Sequence, residues 1–428
     1  VREDACVTTD IIEELAWRGL IVQSTDLGAL SDHLREQPRT LYCGFDPTAP
    51  SLHVGSLLQA LTLRRFQLAG HRPLALVGGA TGLIGDPKPT GERQLSDADV
   101  VRQWSARIRA QLEQFLDFED PATGAVMVNN YDWTESMSTL QFLRDVGKHF
   151  PVNRMLDRDA VAARLAAGGI SFTEFSYVLL QSNDYLELFR EQGCTLQFGG
   201  TDQWGNITAG VDLVRRVEST AVHALTTPLL TKGDGTKFGK TEGGTVWLDP
   251  ELTSPYAFFQ YWRNVDDDLV GSLLRTFTFL TQDQVVELEE ATAERPQARE
   301  GQRALAREVT RLVHGADETE RVEAAGRALF GQGDLAAVPA ATLAAAVEEV
   351  PHATVPAGQL PALVDLFVAT GLTASKSAAR RAVADGGAYL NNERVVDADA
   401  VPAPTDLLHG RFLVLRRGRR TVGAVEVG

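Results

Sequence analysis

The run Leu41-Tyr42-Cys43-Gly44-Phe45-Asp46-Pro47-Thr48-Ala49-Pro50-Ser51-Leu52-His53-Val54-Gly55-Ser56 constrains this chain more than any other stretch. Its apolar start reads as a short strand, Asp-Pro-Thr as a tight turn, and His-Val-Gly-Ser as the first turn of a helix. A strand that runs straight into a helix start presents backbone N–H groups with no intrahelical partner. They lie at the positive end of the helix dipole, a setting that suits phosphate. Ser51 is the expected N-cap. Gly55 leaves room for a flat ring against the backbone, and His53 adds a donor beside the phosphates. The pattern predicts a nucleotide site in an α/β domain.

The rest of the chain supports that class. Asp10 is placed to cap a helix over residues 11–18, which Gly19 ends. The helix of the opening run continues to Leu68, and Pro73–Val77 is a short apolar run bounded by glycines. Strand, helix and strand at this spacing make a βαβ unit. Further strand-like runs at 125–129 and 195–198 alternate with helical patterns, as in a Rossmann-like, doubly wound parallel sheet. From residue 254 the pattern is helical over 255–280 and 283–314. Residues 331–361 are rich in Ala, Pro and Gly and read as a linker with one short helix. The last seventy residues read as two short helices followed by strands, a small α+β unit. The expected plan is a catalytic-type domain over 1–250 with a helical preface over 1–38, a helical domain over 251–330, a linker over 331–359, and the α+β unit over 360–428.

Net charge is −16, but residues 359–428 carry nine Lys/Arg against seven Asp/Glu, so the acid is concentrated before them. Local patches rather than totals decide phosphate contacts, and RNA binding by the tail stays open. Three cysteines, at 6, 43 and 194, are too few and scattered for a disulfide framework or a zinc site. No apolar run reaches the length of a membrane span and the first thirty residues lack a signal-peptide pattern, so a cytoplasmic location without a membrane partner is expected.

Several segments carry candidate chemistry. Gly78 to Pro87 follows the 74–77 strand and puts Asp86 near a strand's carboxyl end, where open α/β sheets bind ligands. In the pattern over 172–191, Tyr177, Gln181 and Asp184 share one face of a largely apolar helix. That stripe is either solvated or paired with a polar ligand. In Leu196–Asn206, Thr201 or Asp202 could cap a helix; alternatively, Asp202 accepts from a ribose hydroxyl with Gln197 and Gln203 bordering the substrate. Lys237-Phe238-Gly239-Lys240-Thr241 lies in a glycine-rich loop over 233–244.

Taken in this order, these motifs resemble the bacterial-type tyrosyl-tRNA synthetase family of class I aminoacyl-tRNA synthetases. Tyr42–Ser56 is similar to the first class signature, with Gly44-Phe45-Asp46-Pro47-Thr48 in the tyrosine-specific form, and Lys237–Thr241 is similar to the second. Residues 360–428 resemble an S4-type RNA-binding domain through Gly371-Leu372, Ser375-Lys376-Ser377, Ala379-Arg380-Arg381, Gly386-Gly387 and Tyr389-Leu390-Asn391-Asn392. The resemblance implies an ATP-dependent, AMP-forming ligase. The carboxylate of L-tyrosine attacks the α-phosphate of ATP, giving tyrosyl-adenylate and pyrophosphate. The tyrosyl group then passes to the 3′-terminal adenosine of tRNA(Tyr).

It further implies that Tyr42 and Asp184 hold the phenol hydroxyl, and that Asp86, Tyr177 and Gln181 hold the α-amino group beside Gln197 and Gln203. Cys43, Gly44, Asp46, Gly55, Asp202 and Lys240 are implied to meet the nucleotide. Thr48 and His53 fall on the γ-phosphate side, and Lys237, Lys240 and Thr241 close over the pyrophosphate. Lys376, Arg380, Arg381, Arg416 and Arg417 are implied to meet RNA. ATP is a substrate, Mg²⁺ is expected with it, no tightly bound organic cofactor or protein-only metal site is expected, and the family is dimeric. Ser56 departs from the signature where histidine is common, and the loop with Lys88 and Arg93 is unusual in its prolines. A tryptophan-specific relative is opposed by Tyr42, Asp184 and the S4-like tail, and an inactive RNA-binding paralogue by the retained His53, Asp202 and loop lysines.

Overall fold

The computed structural model describes residues 10–87, 97–229, 239–241, 244–358 and 360–428. The chain divides into two compact units, Val1–Asp249 with Gly271–Val285, and Pro250–Val270 with Val286–Gly428.

The first unit is built on six strands: β1 (Gln23–Ser24), β2 (Thr40–Phe45), β3 (Arg72–Val77), β4 (Val126–Asn129), β5 (Cys194–Gly200) and β6 (His223–Thr227). Their order is β1-β6-β5-β2-β3-β4, parallel except for the edge strand β1. The chain moves outward from β2 to β3 and β4, then returns to the other side of β2 with β5. The switch point lies between β2 and β5, where a doubly wound sheet opens a crevice at its carboxyl end. Leu74 to Val77 are all buried, as expected of a strand covered on both faces. Helix Val54–Leu68 makes the crossover from β2 to β3, and helix Phe172–Gln192 packs along helix Trp204–Glu218. Tyr42, Leu76, Tyr185 and Leu186 belong to the core beneath the crevice.

The helix start differs from the sequence expectation. Ser51 is not the N-cap; that position belongs to His53, whose Nδ1 accepts from the Ser56 N–H at 3.3 Å. Residues before it stay extended because they pair with a distant segment: Val54 N–H donates to Val246 O at 3.2 Å and Leu248 N–H to Leu52 O at 2.9 Å. The Ser51 hydroxyl serves that pairing, accepting from Asp249 N–H at 3.2 Å and donating to Leu52 O at 2.8 Å. Thr201 and Asp202 also do not cap: a 3₁₀ turn over Thr201–Gln203 leads into the next helix without a side-chain cap. By contrast, Asp10 caps helix Ile11–Trp17 as its position predicts.

Residues 271–285, read from sequence as part of a helical domain, belong to the first unit. Two buried arginines hold them there. Arg18 Nη1 donates to Arg275 O at 2.9 Å and Thr278 O at 3.0 Å, and Arg65 Nη2 to Thr276 O at 2.8 Å and Thr278 O at 2.9 Å. Both cations sit at the carbonyl end of helix Asp267–Phe277, where the dipole favours positive charge.

The second unit packs helices Pro255–Arg263, Glu300–His314, Ala316–Leu329 and Ala340–Glu348 around Phe258, Trp262, Leu305, Val309, Val322 and Leu343. A five-stranded sheet follows, formed by β9 (His352–Val355), β10 (Ala388–Leu390), β11 (Glu393–Arg394), β12 (Phe412–Arg417) and β13 (Thr421–Val427) in the order β11-β10-β12-β13-β9. The stretch 331–359, expected as a linker with one short helix, supplies that helix, Ala340–Glu348, and in addition strand β9, which pairs parallel with β13. Its Val338, Leu343, Ala346 and Val347 are buried, so the stretch is packed along its length rather than spanning two bodies. Asn392 Nδ2 donates to Ala328 O at 2.7 Å, and His409 Nε2 lies 2.8 Å from Val338 O, tying this stretch and the preceding helix to the sheet.

Candidate active site

A cavity of about 520 Å³ opens at the carboxyl ends of β2 and β5, at the switch point of the sheet. It brings together Tyr42, Cys43, Gly44, Asp46, Thr48, His53, Gly55, Asp86, Tyr177, Gln181, Asp184, Gln197, Asp202 and Gln203. These residues come from four separate stretches of sequence.

At its floor, Asp184 is 3% exposed. Asn130 Nδ2 and Trp133 Nε1 each donate to its carboxylate at 3.0 Å. Burial still raises the carboxyl to about 7, against the pull of both hydrogen bonds and with a push from Asp46. The Tyr42 hydroxyl is buried with no hydrogen-bond partner among the described residues. Burial and the Asp184 charge hold its pKa well above the ordinary phenol value, so it remains a neutral donor. A carboxylate acceptor and an unused phenolic donor together complement a ligand hydroxyl that both donates and accepts.

Asp46 accepts from Tyr177 OH at 2.6 Å and from Thr81 Oγ1 at 2.7 Å. A Cβ on Gly78 would overlap both the Asp46 carboxylate and the Thr81 hydroxyl, which is why glycine stands there. Asp86 accepts from Gln203 Nε2 at 2.9 Å and Asn206 Nδ2 at 3.1 Å. Arg158 Nη1 donates to Asn206 Oδ1 at 3.0 Å and so orients that amide. Gln181 Oε1 and Gln197 Oε1 are buried without partners among the described residues. Three carboxylates and unpaired amide oxygens make this cavity fit for a small cationic, polar ligand.

At the rim, His53 is exposed and its ring centroid lies 6.2 Å from that of Trp247. Gly55 has a reason beyond ligand access, since a Cβ there would come 2.8 Å from His53 Cε1. The helix start is less open to anions than its sequence suggests, because the N–H groups of Val54, Ser56 and Leu57 already bond within the chain. Burial pushes the Cys43 thiol well up, leaving it an inert wall. Lys237, Lys88 and Arg93 lie outside the described residues. Lys240 and Thr241 form strand β7 (Lys240–Thr241), paired antiparallel with β8 (Gly244–Thr245), and Gly239 and Thr245 line the cavity.

In the tail, Lys376 pairs with Asp365, and Arg380 lays its fork on Asp399 at 2.7 and 3.3 Å. Arg381 is exposed, and Arg417 Nη1 donates to Leu372 O at 3.1 Å. Arg416 departs from expectation. It is 8% exposed, stacks 3.9 Å over the Tyr389 ring and donates to Gly418 O at 2.6 Å, so packing rather than phosphate occupies it.

Sequence reasoning missed Asn130, Trp133, Asn206, Arg158 and Trp247. Asn129-Asn130 at the end of β4 was a usable signal, because polar residues at the carboxyl end of a parallel strand lie on the crevice side of the sheet.

Residues 34–331 match the family described as tRNA synthetases class I (W and Y), and residues 342–423 match the tyrosine–tRNA ligase SYY-like C-terminal domain. The chain is 61% identical over 421 residues to the tyrosine–tRNA ligase of Streptomyces coelicolor, spanning 98% of this chain and 99% of that one. It is 59% identical over 417 residues to that of Mycobacterium tuberculosis, spanning 97% and 98%. A C-terminally truncated mitochondrial tyrosyl-tRNA synthetase of Aspergillus nidulans superposes with a TM-score of 0.68 at 32% identity, over 75% of this chain and 94% of that one. A tryptophanyl-tRNA synthetase of Encephalitozoon cuniculi, at 12% identity and a TM-score of 0.53, shares the fold. With such identity over nearly its full length, the chain belongs to the tyrosine–tRNA ligase family of the class I tRNA synthetases.

Proposed function

We propose that the cavity binds L-tyrosine and ATP side by side, that the chain forms tyrosyl-adenylate there, and that it passes the tyrosyl group to tRNA(Tyr). The observation that carries the substrate is Asp184, held by Asn130 and Trp133, together with a Tyr42 hydroxyl that has no partner among the described residues. The ligand phenol donates to Asp184 and accepts from Tyr42, while Asp86, Tyr177 and Gln181 take its ammonium. The substrate carboxylate is ionised at neutral pH and needs no base, so the chain's task is to position it and to stabilise charge on the phosphates. Thr48 and His53 serve the γ-phosphate side, Asp202 a ribose hydroxyl, and Lys237, Lys240 and Thr241 the leaving pyrophosphate. Mg²⁺ enters on the triphosphate as part of that substrate. Pyrophosphate exchange measured with each of the twenty amino acids tests the reading: only tyrosine is expected to support it, and exchange with tryptophan instead would overturn it.

The raised Asp184 carboxyl gives a pH dependence. The ligand phenol needs an ionised acceptor, and Asp184 in the free protein takes up a proton below about 7. Tyrosine binding is therefore expected to release a proton at pH 6. Its Kd weakens toward about tenfold per pH unit below the Asp184 pKa and is flat above pH 8. Calorimetry in buffers of different ionisation enthalpy reads this directly, and Asp184→Asn should abolish it.

A homodimer fits the exposed apolar side chains Leu140, Leu143, Val152, Leu156 and Phe172, which follow β4 and run up to helix Phe172–Gln192. No described helix is long and apolar enough to cross a membrane, and the reading places the protein in the cytoplasm with its tRNA. The S4-type reading of residues 360–428 assigns tRNA phosphates to Lys376, Arg380, Arg381 and Arg417. Lys376 and Arg380 are exposed, with Asp399 exposed and Asp365 half-buried, and such surface pairs are weak enough for a phosphate to displace. Arg380→Ala and Arg381→Ala are each expected to lower the slope of log tRNA affinity against log salt by about one. Arg416→Ala should leave that slope alone and lower the melting temperature.

A further inference from the structure

The side chain of Gln111 has no part in the reading above. It stands in the last turn of helix Ala98–Leu112, half-buried and outside the set of residues that line the cavity. Its amide reaches the residues just before His53. Oε1 accepts from Leu52 N–H at 2.8 Å, and Nε2 donates to Ser51 Oγ at 2.9 Å. The Ser51 hydroxyl gives its own proton to Leu52 O at 2.8 Å and accepts from Asp249 N–H at 3.2 Å. Turning the amide over would set its NH2 against the Leu52 N–H, donor against donor, so the backbone fixes which way Gln111 faces. Ser51 and Leu52 are 4% and 3% exposed, so a polar group that loses its partner there has little water to replace it.

The place of this amide gives it a consequence at the rim of the cavity. Leu248 N–H donates to Leu52 O and Val54 N–H to Val246 O, and between them His53 pairs antiparallel with Trp247. That pairing does not reach the Leu52 N–H; Gln111 supplies the acceptor instead. The peptide immediately before His53 is therefore fixed by a helix that packs against β3 and helix Thr81–Ile84, not by the cavity wall. A shift of that peptide carries the His53 ring with it. The buried floor at Asp184 is held by Asn130 and Trp133 and has no bond to Gln111.

We infer that Gln111 is a positioning residue for adenylate formation: its amide fixes the Ser51–Leu52 backbone and so sets the His53 ring against the phosphates. The inference rests on the phosphate role proposed for His53 and extends it to a residue that touches no substrate. Single-turnover adenylate formation, equilibrium tyrosine binding and thermal melts test it on Gln111→Met, His53→Ala and the double variant. Gln111→Met is similar in length and makes neither hydrogen bond. It is expected to slow adenylate formation about 10- to 100-fold, since a misplacement of about 1 Å costs up to about 10²-fold. Its Kd for tyrosine should stay within about twofold, the floor being out of its reach. Made in His53→Ala, the same substitution should slow the reaction by less than about threefold more, while the falls in melting temperature add. Gln111→Glu keeps the acceptor for the Leu52 N–H and should recover most of the rate. Ser51→Ala removes the partner of Nε2 alone and carries the same cycle where Gln111→Met does not fold, with a loss of about threefold that vanishes in His53→Ala. Kinetic losses that multiply in the double variant mark a merely structural role and overturn the inference, as does full rate in a folded Gln111→Met. Full rate in His53→Ala overturns the phosphate reading of that residue and the inference with it.

Discussion

Asp184→Ala is expected to lower kcat/KM for tyrosine in pyrophosphate exchange by at least about 100-fold, and to erase most of the preference for tyrosine over phenylalanine. A charge-assisted hydrogen bond to the phenol is worth about 1.5–3 kcal/mol, and the orphaned Asn130 and Trp133 donors add their own desolvation cost. The comparison with Asp184→Asn separates the two contributions, because that variant keeps the shape but offers one acceptor where there were two. Stability should move the other way with pH. A carboxyl raised to about 7 stabilises the folded state fully below the unfolded value near 4, and that contribution is lost as pH rises through 7. The wild type should therefore lose stability between pH 5 and pH 8 by an amount that Asp184→Asn does not. Thermal melts at the two pH values, read beside the kinetics, check both halves. Equal tyrosine and phenylalanine kinetics in wild type and Asp184→Ala would remove the pocket assignment.

His53→Ala is expected to lower kcat for adenylate formation by about 10²–10³, or about 2.7–4 kcal/mol, the usual loss for one preorganised donor to a transition-state oxygen. Tyrosine affinity should hold, because His53 is exposed at the rim while Asp184 lies at the buried floor. His53 also caps helix Val54–Leu68, so part of any loss in His53→Ala could come from the helix start, where a missing cap costs about 0.5–2 kcal/mol. Asparagine is a strong N-cap residue and separates the effects: His53→Asn should recover the melting temperature and leave kcat low. Gly55→Ala reports on the same ring from behind. Its new Cβ meets His53 Cε1 at 2.8 Å, which displaces the ring without removing it. Single-turnover adenylate formation with equilibrium tyrosine binding distinguishes the outcomes; full kcat in both His53 variants would take the residue out of the reaction.

Much of this fold was legible in the chain. The strand before Asp46, the helix to Leu68, the β3 strand and the Asp10 cap follow from periodicity and from side chains within three residues of the backbone they satisfy. The stripe Tyr177, Gln181 and Asp184 was visible because a helix repeats every 3.6 residues, and all three do reach the cavity. What the sequence by itself determined was therefore the α/β class, the order of the motifs and most of the polar side chains on the cavity wall.

Tertiary structure decided which partner each of those residues has. Ser51 lost the cap to His53 because the preceding backbone pairs with residues 246–249, nearly two hundred positions away. Residues 352–355 became a strand because β13 offered an edge to β9, and 271–285 joined the first unit through Arg18 and Arg65. Asp184 is poised near neutrality by Asn130, Trp133 and burial, and Arg416 is taken up by Tyr389. The physical reason is the same in each case. A periodic pattern records which face of an element is buried, but a hydrogen bond or stacking contact between distant segments leaves no period behind and exists only once the chain has closed on itself.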